Sequence, residues 1–250
     1  MAAVAPLLSV RDVTRRFGGL TAVDRVDFEL AEGEVRAIIG PNGAGKTTFV
    51  GMICGRIRPS AGTIRFGGAD ITAMPAHARV LAGIAYTFQI TSVFANLSVA
   101  ENVALAVQRR HVGGRGGRFG RDGLDHAVHD ALSRVGLADR AGELAGNLAY
   151  GHRRLLEVAM GLALEPRLLI LDEPTQGLSD AEIDGFIALV REIAGATTVL
   201  LIEHNMPVVM ALAGRITVMD QGRIIAEGSP EEVRANAAVQ AAYLGAAADA

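Results

Sequence analysis

The run GPNGAGKTT, Gly40 to Thr48, sets three glycines, a lysine and two threonines in the spacing of a phosphate-binding loop. Small residues let successive backbone N–H groups curl around a polyphosphate, and the helix that follows adds the positive end of its dipole. Gly40, Pro41, Asn42, Gly43, Ala44, Gly45, Lys46, Thr47 and Thr48 form the candidate phosphate cradle, with Lys46 as the cation for the outer phosphates and the Thr47 hydroxyl as a ligand for Mg2+. A second run, LLILDEP, ends a stretch of apolar residues on two carboxylates. An acid at the end of a buried strand is badly placed unless a cation compensates it. Asp172 is therefore a candidate Mg2+ partner, through water, and Glu173 the candidate general base for an attacking water. The bland alternatives are an ordinary glycine turn and a helix-capping acid pair.

These residues need elements to hold them. VRAIIG is a short apolar run ending on glycine, and KTTFVGMICG follows the loop, so the cradle is predicted to lie between a buried strand and a helix. Upstream, LLSVRDVTRRF and VDFEL alternate apolar and polar residues as half-exposed strands do, which predicts an antiparallel β layer, and GTIRFGG reads as an edge hairpin. From Ser98 the pattern is helical: Ser98 and Glu101 stand at capping-box spacing, ahead of an apolar face through Val103 and Val107. The glycine-rich run His111 to Gly123 is predicted to be an irregular surface loop. LLILD and TTVLLIE then read as buried strands separated by a helix with Ile183, Phe186, Ile187 and Val190 on one face, which implies a parallel, doubly covered sheet. ITVMDQGRIIAEG predicts a hairpin turned at Asp220 to Gly222, and Pro230 opens a last helix. The chain is expected to form one domain with a helical insertion at about 90–164.

The 250 residues, half of them hydrophobic, suffice for a large core. With 24 basic and 27 acidic residues the formal charge is −3, which suggests no polyanionic partner and no nucleic acid. One cysteine, Cys54, excludes an intramolecular disulfide framework and a cysteine-rich metal site. Charges interrupt every apolar stretch before the roughly 20 residues a spanning helix needs, so the expectation is a cytoplasmic protein that meets a membrane through a partner.

The order of the phosphate loop, YTFQ, LAYGHRR, LLILDEP, GLSD and LLIEH resembles the ATP-binding subunits of ABC transporters, from about Leu7 to Gly245. The resemblance implies an α/β fold of the P-loop NTPase class. Its ABC-type nucleotide-binding domain has a RecA-like parallel-sheet core, an N-terminal antiparallel β layer and an inserted α-helical subdomain. It also implies ATP and Mg2+ as cofactors and a role for each remaining motif. Gln89 would reach the Mg2+ and the attacking water, while its flank ITSVFANLS touches the membrane subunit. His204 would contact the γ-phosphate, and Phe17 would stack on adenine, though each read alone is a structural residue. Gly177 to Asp180 would cross a dimer interface, and Ala149 and Gly151 would face the partner's nucleotide. Two protomers would enclose two ATP molecules.

The stretch NLAYGHRRLLEVAM, read alone, is a helix with Leu155, Val158, Ala159 and Leu162 facing the core. Against the common signature LSGGQ it carries Ala149, Tyr150 and His152, and it keeps Gly151, where a side chain would obstruct the partner's γ-phosphate. Its wording, with RRFGGLTAVDRVDFEL, NLSVAENV and AAYLG, is similar to the ATPases of branched-chain amino acid importers. That resemblance implies transmembrane permease subunits, a second ATPase subunit (homo- or heterodimer, the latter favoured), an extracytoplasmic substrate-binding protein acting indirectly, and a peripheral position on the cytoplasmic face of the inner membrane. The competing readings are an ATPase of a lipid or lipopolysaccharide exporter and a soluble ABC-type ATPase acting on nucleic acid or ribosomes. The last would call for a long coiled-coil insertion or two cassettes in one chain, neither of which is present.

Overall fold

The computed structural model describes residues 5–87, 92–112, 121–237, 239 and 240. The chain forms two compact units, one from the first 79 residues together with the chain after Ile193, the other from Val80 to Ile193.

The first unit opens with strands β1 (Leu8–Phe17) and β2 (Leu20–Leu30), paired antiparallel as the alternation predicts. Their inward residues Leu8, Val10, Val13, Val26, Phe28 and Leu30 are buried. Strand β3 (Val35–Ile39) leads through the glycine loop into helix α1 (Lys46–Ile53), whose Phe49 meets Phe28 edge to face at 5.5 Å. Strands β4 (Ala61–Phe66) and β5 (Ala69–Asp70) form the expected hairpin and complete a four-stranded sheet in the order β2-β1-β4-β5. Helix α2 (Ala76–Ala82) follows.

The second unit holds strand β6 (Ile84–Thr87), helices α3 (Val99–Val112), α4 (Arg121–Arg134) and α5 (Tyr150–Ala163), strand β7 (Leu168–Asp172) and helix α6 (Asp180–Ala194). β6 and β7 pair in parallel. The capping box at α3 forms as read: the Ser98 N–H donates to Glu101 Oε2 at 2.7 Å and the Glu101 N–H to Ser98 Oγ at 3.1 Å. The glycine-rich run departs from expectation at both ends, since α3 continues through His111 and Val112 and α4 takes up Arg121 to Gly123. Apolar burial along these helices, at Val103, Val107, Val128 and Leu132, outweighs the local cost of glycine. Residues 113–120 of that run, and the AAYLG stretch, lie outside the described residues.

The chain returns to the first unit as strand β8 (Thr198–Ile202), helix α7 (Met206–Leu212), strands β9 (Arg215–Asp220) and β10 (Arg223–Gly228), and helix α8 (Pro230–Ala235). β3 pairs in parallel with both β8 and β9, and β10 closes the predicted hairpin at Gln221-Gly222, both with positive φ. Ser229 and Glu232 form a complete capping box on α8, with Pro230 in its first turn.

Candidate active site

The glycine loop leaves β3 and ends at Gly45, whose φ of 95° lies in the left-handed region. A Cβ there would sit 2.4 Å from the Ala22 carbonyl oxygen, so both the backbone conformation and β2 exclude any other residue. The loop turns on the Ala44 N–H donating to the Pro41 carbonyl at 3.2 Å. Asn42, Gly43 and Thr47 are exposed along it, with Thr48 half-buried behind them. The Lys46 ammonium lies over the loop, donating to the carbonyls of Gly40 at 2.6 Å and Pro41 at 3.0 Å. A cation, small residues and a helix N-terminus thus come together in one loop, the arrangement that favours a polyphosphate.

Two further candidates, Phe17 and His204, lie in the first unit. Phe17, at the end of β1, is 43% exposed rather than packed in the core, and the Arg15 guanidinium lies 4.3 Å from its ring centroid. His204 is exposed just after β8. Its turn is fixed by the buried carboxylate of Glu203, whose Oε2 accepts the N–H groups of His204 at 2.7 Å and Asn205 at 3.0 Å. Sequence reasoning passed over Glu203; its signal was an acid closing an apolar strand, as at Asp172.

In the second unit, Asp172 ends β7 and is 1% exposed, and its Oδ2 accepts the Tyr86 hydroxyl at 2.6 Å. Glu173 follows with φ 46°, a left-handed backbone at a residue with a long side chain. Gln89 lies outside the described residues. Among the described residues no three His, Cys, Asp or Glu side chains gather as a metal cage. The Asp172 carboxylate of this unit and the Thr47 hydroxyl of the first unit each offer oxygen, the donor type that a hard ion such as Mg2+ takes.

Helix α5 differs from its sequence reading. Val158, Ala159 and Leu162 are buried as expected, but Leu156 takes the interior place given to Leu155, which is half-buried, and the charged Arg154 and Glu157 are buried with it. Burial pushes the Glu157 carboxyl above its ordinary range, against the opposing pull of the Ser92 N–H and of Arg154. At the head of α5, Ala149 is exposed and supplies no side-chain cap. Gly151 lies against Glu182 within the chain itself: a Cβ there would be 2.1 Å from Oε1 of that exposed, flexible side chain, which would have to swing aside. The Tyr150 ring in turn fills the space at Gly177, where a Cβ would meet its Cε1 at 3.0 Å. Glu182 is held by the N–H and hydroxyl of Ser179, at 2.8 and 2.7 Å. The LAYG and GLSD motifs are therefore packed together through Tyr150 and Glu182.

The family model described as ABC transporter matches residues 23–176 of this chain, and that described as branched-chain amino acid ATP-binding cassette transporter matches residues 223–249. The chain belongs to the ATP-binding proteins of ABC transporters, in the branched-chain amino acid group. It is 40% identical over 252 residues to the high-affinity branched-chain amino acid transport ATP-binding protein BraF of Pseudomonas aeruginosa, covering 96% of this chain and 98% of that protein. LivG of Escherichia coli, described in the same words, is 39% identical over 250 residues with the same coverage. A solved ATP-binding cassette of an ABC transporter in its ADP conformation superposes with a TM-score of 0.85 at 26% identity, over 97% of this chain and 100% of that one. The cassette is thus an ABC ATPase, the ATP-hydrolysing subunit of a transporter complex, with the mixed antiparallel and parallel α/β fold of that class. Among its described residues, no helix is long and apolar enough to cross a membrane.

Proposed function

We propose that this cassette powers import of branched-chain or other hydrophobic amino acids, or of related amides or small acids, through transmembrane permease subunits. It would act from the cytoplasmic face of the membrane, as one of two ATPase subunits in a dimer, with a different second chain favoured. An extracytoplasmic binding protein would deliver the cargo. The observation that carries this reading is the 40% identity to BraF over nearly the full length of both chains, which favours import over lipid export.

In the proposed mechanism the loop from Gly40 to Thr48 binds the phosphates of ATP, with Lys46 neutralising the outer ones. Phe17 stacks on the adenine. Thr47, Asp172 and Gln89 would hold Mg2+, which would supply charge neutralisation to the phosphates. Glu173 takes a proton from the attacking water, and His204 orients that water against the γ-phosphate. Gly151, with the N-terminal N–H groups of α5, is offered to the partner's nucleotide, and Ala149 removes one hydroxyl hydrogen bond there, worth about 0.5–1.5 kcal/mol. ATP favours the closed dimer because only that form completes its contacts, and loss of the γ-phosphate reopens it.

The test is a pair of substitutions in the assembled transporter. Glu173→Gln is expected to bind ATP and trap a closed dimer, with turnover lowered on the order of 100- to 10,000-fold, whereas Lys46→Ala loses nucleotide binding. Normal turnover in Glu173→Gln defeats the assignment. In liposomes holding the permease and binding protein, ATP-dependent uptake of labelled leucine supports the cargo class, and ATP-dependent lipid export refutes it.

A further inference from the structure

Helix α5 buries a guanidinium and a carboxylate where apolar side chains would serve packing as well or better. What Arg154 and Glu157 touch gives a reason. Arg154 is 1% exposed and spends its donors on three successive main-chain carbonyls: Nη2 on Asp172 at 2.5 Å and on Glu173 at 2.9 Å, and Nε on Pro174 at 3.4 Å. Those carbonyls bracket Glu173, whose left-handed φ of 46° is costly for a non-glycine residue and persists only where its surroundings impose it. Arg154 Nη1 also donates to Glu157 Oε2 at 2.8 Å. The other oxygen of Glu157 accepts the main-chain N–H of Ser92 at 2.5 Å. Ser92 lies in an exposed segment that Asn102, itself fully buried, pins two residues later: it accepts the Phe94 N–H at 2.8 Å and donates to the Phe94 carbonyl at 3.1 Å. Phe94 stands 55% exposed on that segment.

We propose that Arg154 and Glu157 form a strut between the segment at Ser92 and the backbone of Glu173, through which a membrane partner pressing on that segment sets the position of the hydrolytic carboxylate. The inference rests on reading Glu173 as the general base and residues 90–98 as the partner-facing flank of Gln89. Arg154 and Glu157 are positioning residues, each acting through the turn that carries Glu173. The carboxylate is required because its two oxygens do separate work, one on Ser92 and one on Arg154. A glutamine has a single acceptor oxygen and can serve only one of them.

The experiment compares ATP hydrolysis by the isolated cassette and by the cassette assembled with its permease in liposomes, for wild type, Glu157→Gln and Ser92→Pro. The proline deletes the N–H donor on an exposed loop, so it reports even if Glu157→Gln fails to fold. Both variants are expected to lose the stimulation that assembly confers, by about tenfold in kcat, the equivalent of one charge-assisted hydrogen bond, with KM for ATP held within about twofold. The strut is refuted if Ser92→Pro keeps wild-type stimulation. It is equally refuted if Glu157→Gln lowers isolated and assembled rates by one common factor, as a purely structural defect would. Glu173→Gln run alongside separates the two readings: normal turnover there defeats the base assignment itself, while an inactive Glu173→Gln beside fully stimulated strut variants defeats the strut alone.

Discussion

Replacing Arg79 by leucine is expected to loosen the helix that carries the phosphate loop. Arg79, on α2, is 1% exposed, and its guanidinium caps the far end of α1: Nη1 donates to the carbonyls of Met52 at 2.6 Å and Ile53 at 2.8 Å. Nε donates to Met74 at 2.9 Å and Nη2 to Thr72 at 3.2 Å. The charge thus sits at the negative end of the α1 dipole, and burial holds its pKa below the ordinary arginine value. Leucine keeps most of the apolar stem but leaves the terminal α1 carbonyls buried without their donor, at about 1–3 kcal/mol for each orphaned group. Relief from burying a cation returns part of that, so a net loss of about 2–4 kcal/mol is expected from the orphaned carbonyls. The chain has no tryptophan, so unfolding in urea is best followed by far-ultraviolet circular dichroism. The midpoint should fall by about 1 M or more at an unchanged slope. Arg79→Lys keeps the charge but cannot span four carbonyls, and should fall between. A midpoint for Arg79→Leu within about 0.2 M of wild type would mean that the carbonyls rehydrate or that desolvation cancels the contacts, and would refute the reasoning.

Gly151→Ala should cost only about 1 kcal/mol of stability, since the exposed Glu182 side chain can leave the new Cβ by giving up its Ser179 contacts; a far larger loss of ATP hydrolysis than of the unfolding midpoint would support the glycine facing a partner's nucleotide, and unchanged hydrolysis would refute it. Phe17→Ala should weaken ATP binding about tenfold in equilibrium titration while Phe17→Tyr does not, since stacking a base on an aromatic ring contributes about 1–3 kcal/mol. Glu101 and Glu182 are held below the ordinary carboxylate value of 4.5, chiefly by the N–H groups of Ser98 and Ser179. A lowered folded pKa contributes stability that is present above the unfolded value and lost as pH falls through the folded one, so a Glu101→Gln, Glu182→Gln double variant should show a flatter loss of stability below pH 4.5 in pH-resolved melts.

The phosphate loop was legible because its constraints are local: small residues, a lysine and a helix start follow one another in the chain, and the backbone they need is a property of that stretch alone. The same holds for the capping box of α3 and the Gln221-Gly222 turn. The buried charges were not legible. In the pattern of α5, Arg154 and Glu157 read as residues of a solvent face, and only the tertiary approach of three carbonyls and one N–H makes their burial tolerable. Arg79 and Glu203 were missed for the same reason, since each is justified by main-chain groups brought to it by the fold. Glu173 stands at the boundary between the two cases. The sequence places an acid after an apolar strand and before Pro174, and a following proline disfavours the right-handed helical backbone. It does not say which other well is filled. The left-handed one is occupied beside a clamp from a helix that begins in the signature motif, so the conformation of the candidate base is a property of two motifs together. A substitution at Arg154 should therefore reach hydrolysis without touching nucleotide.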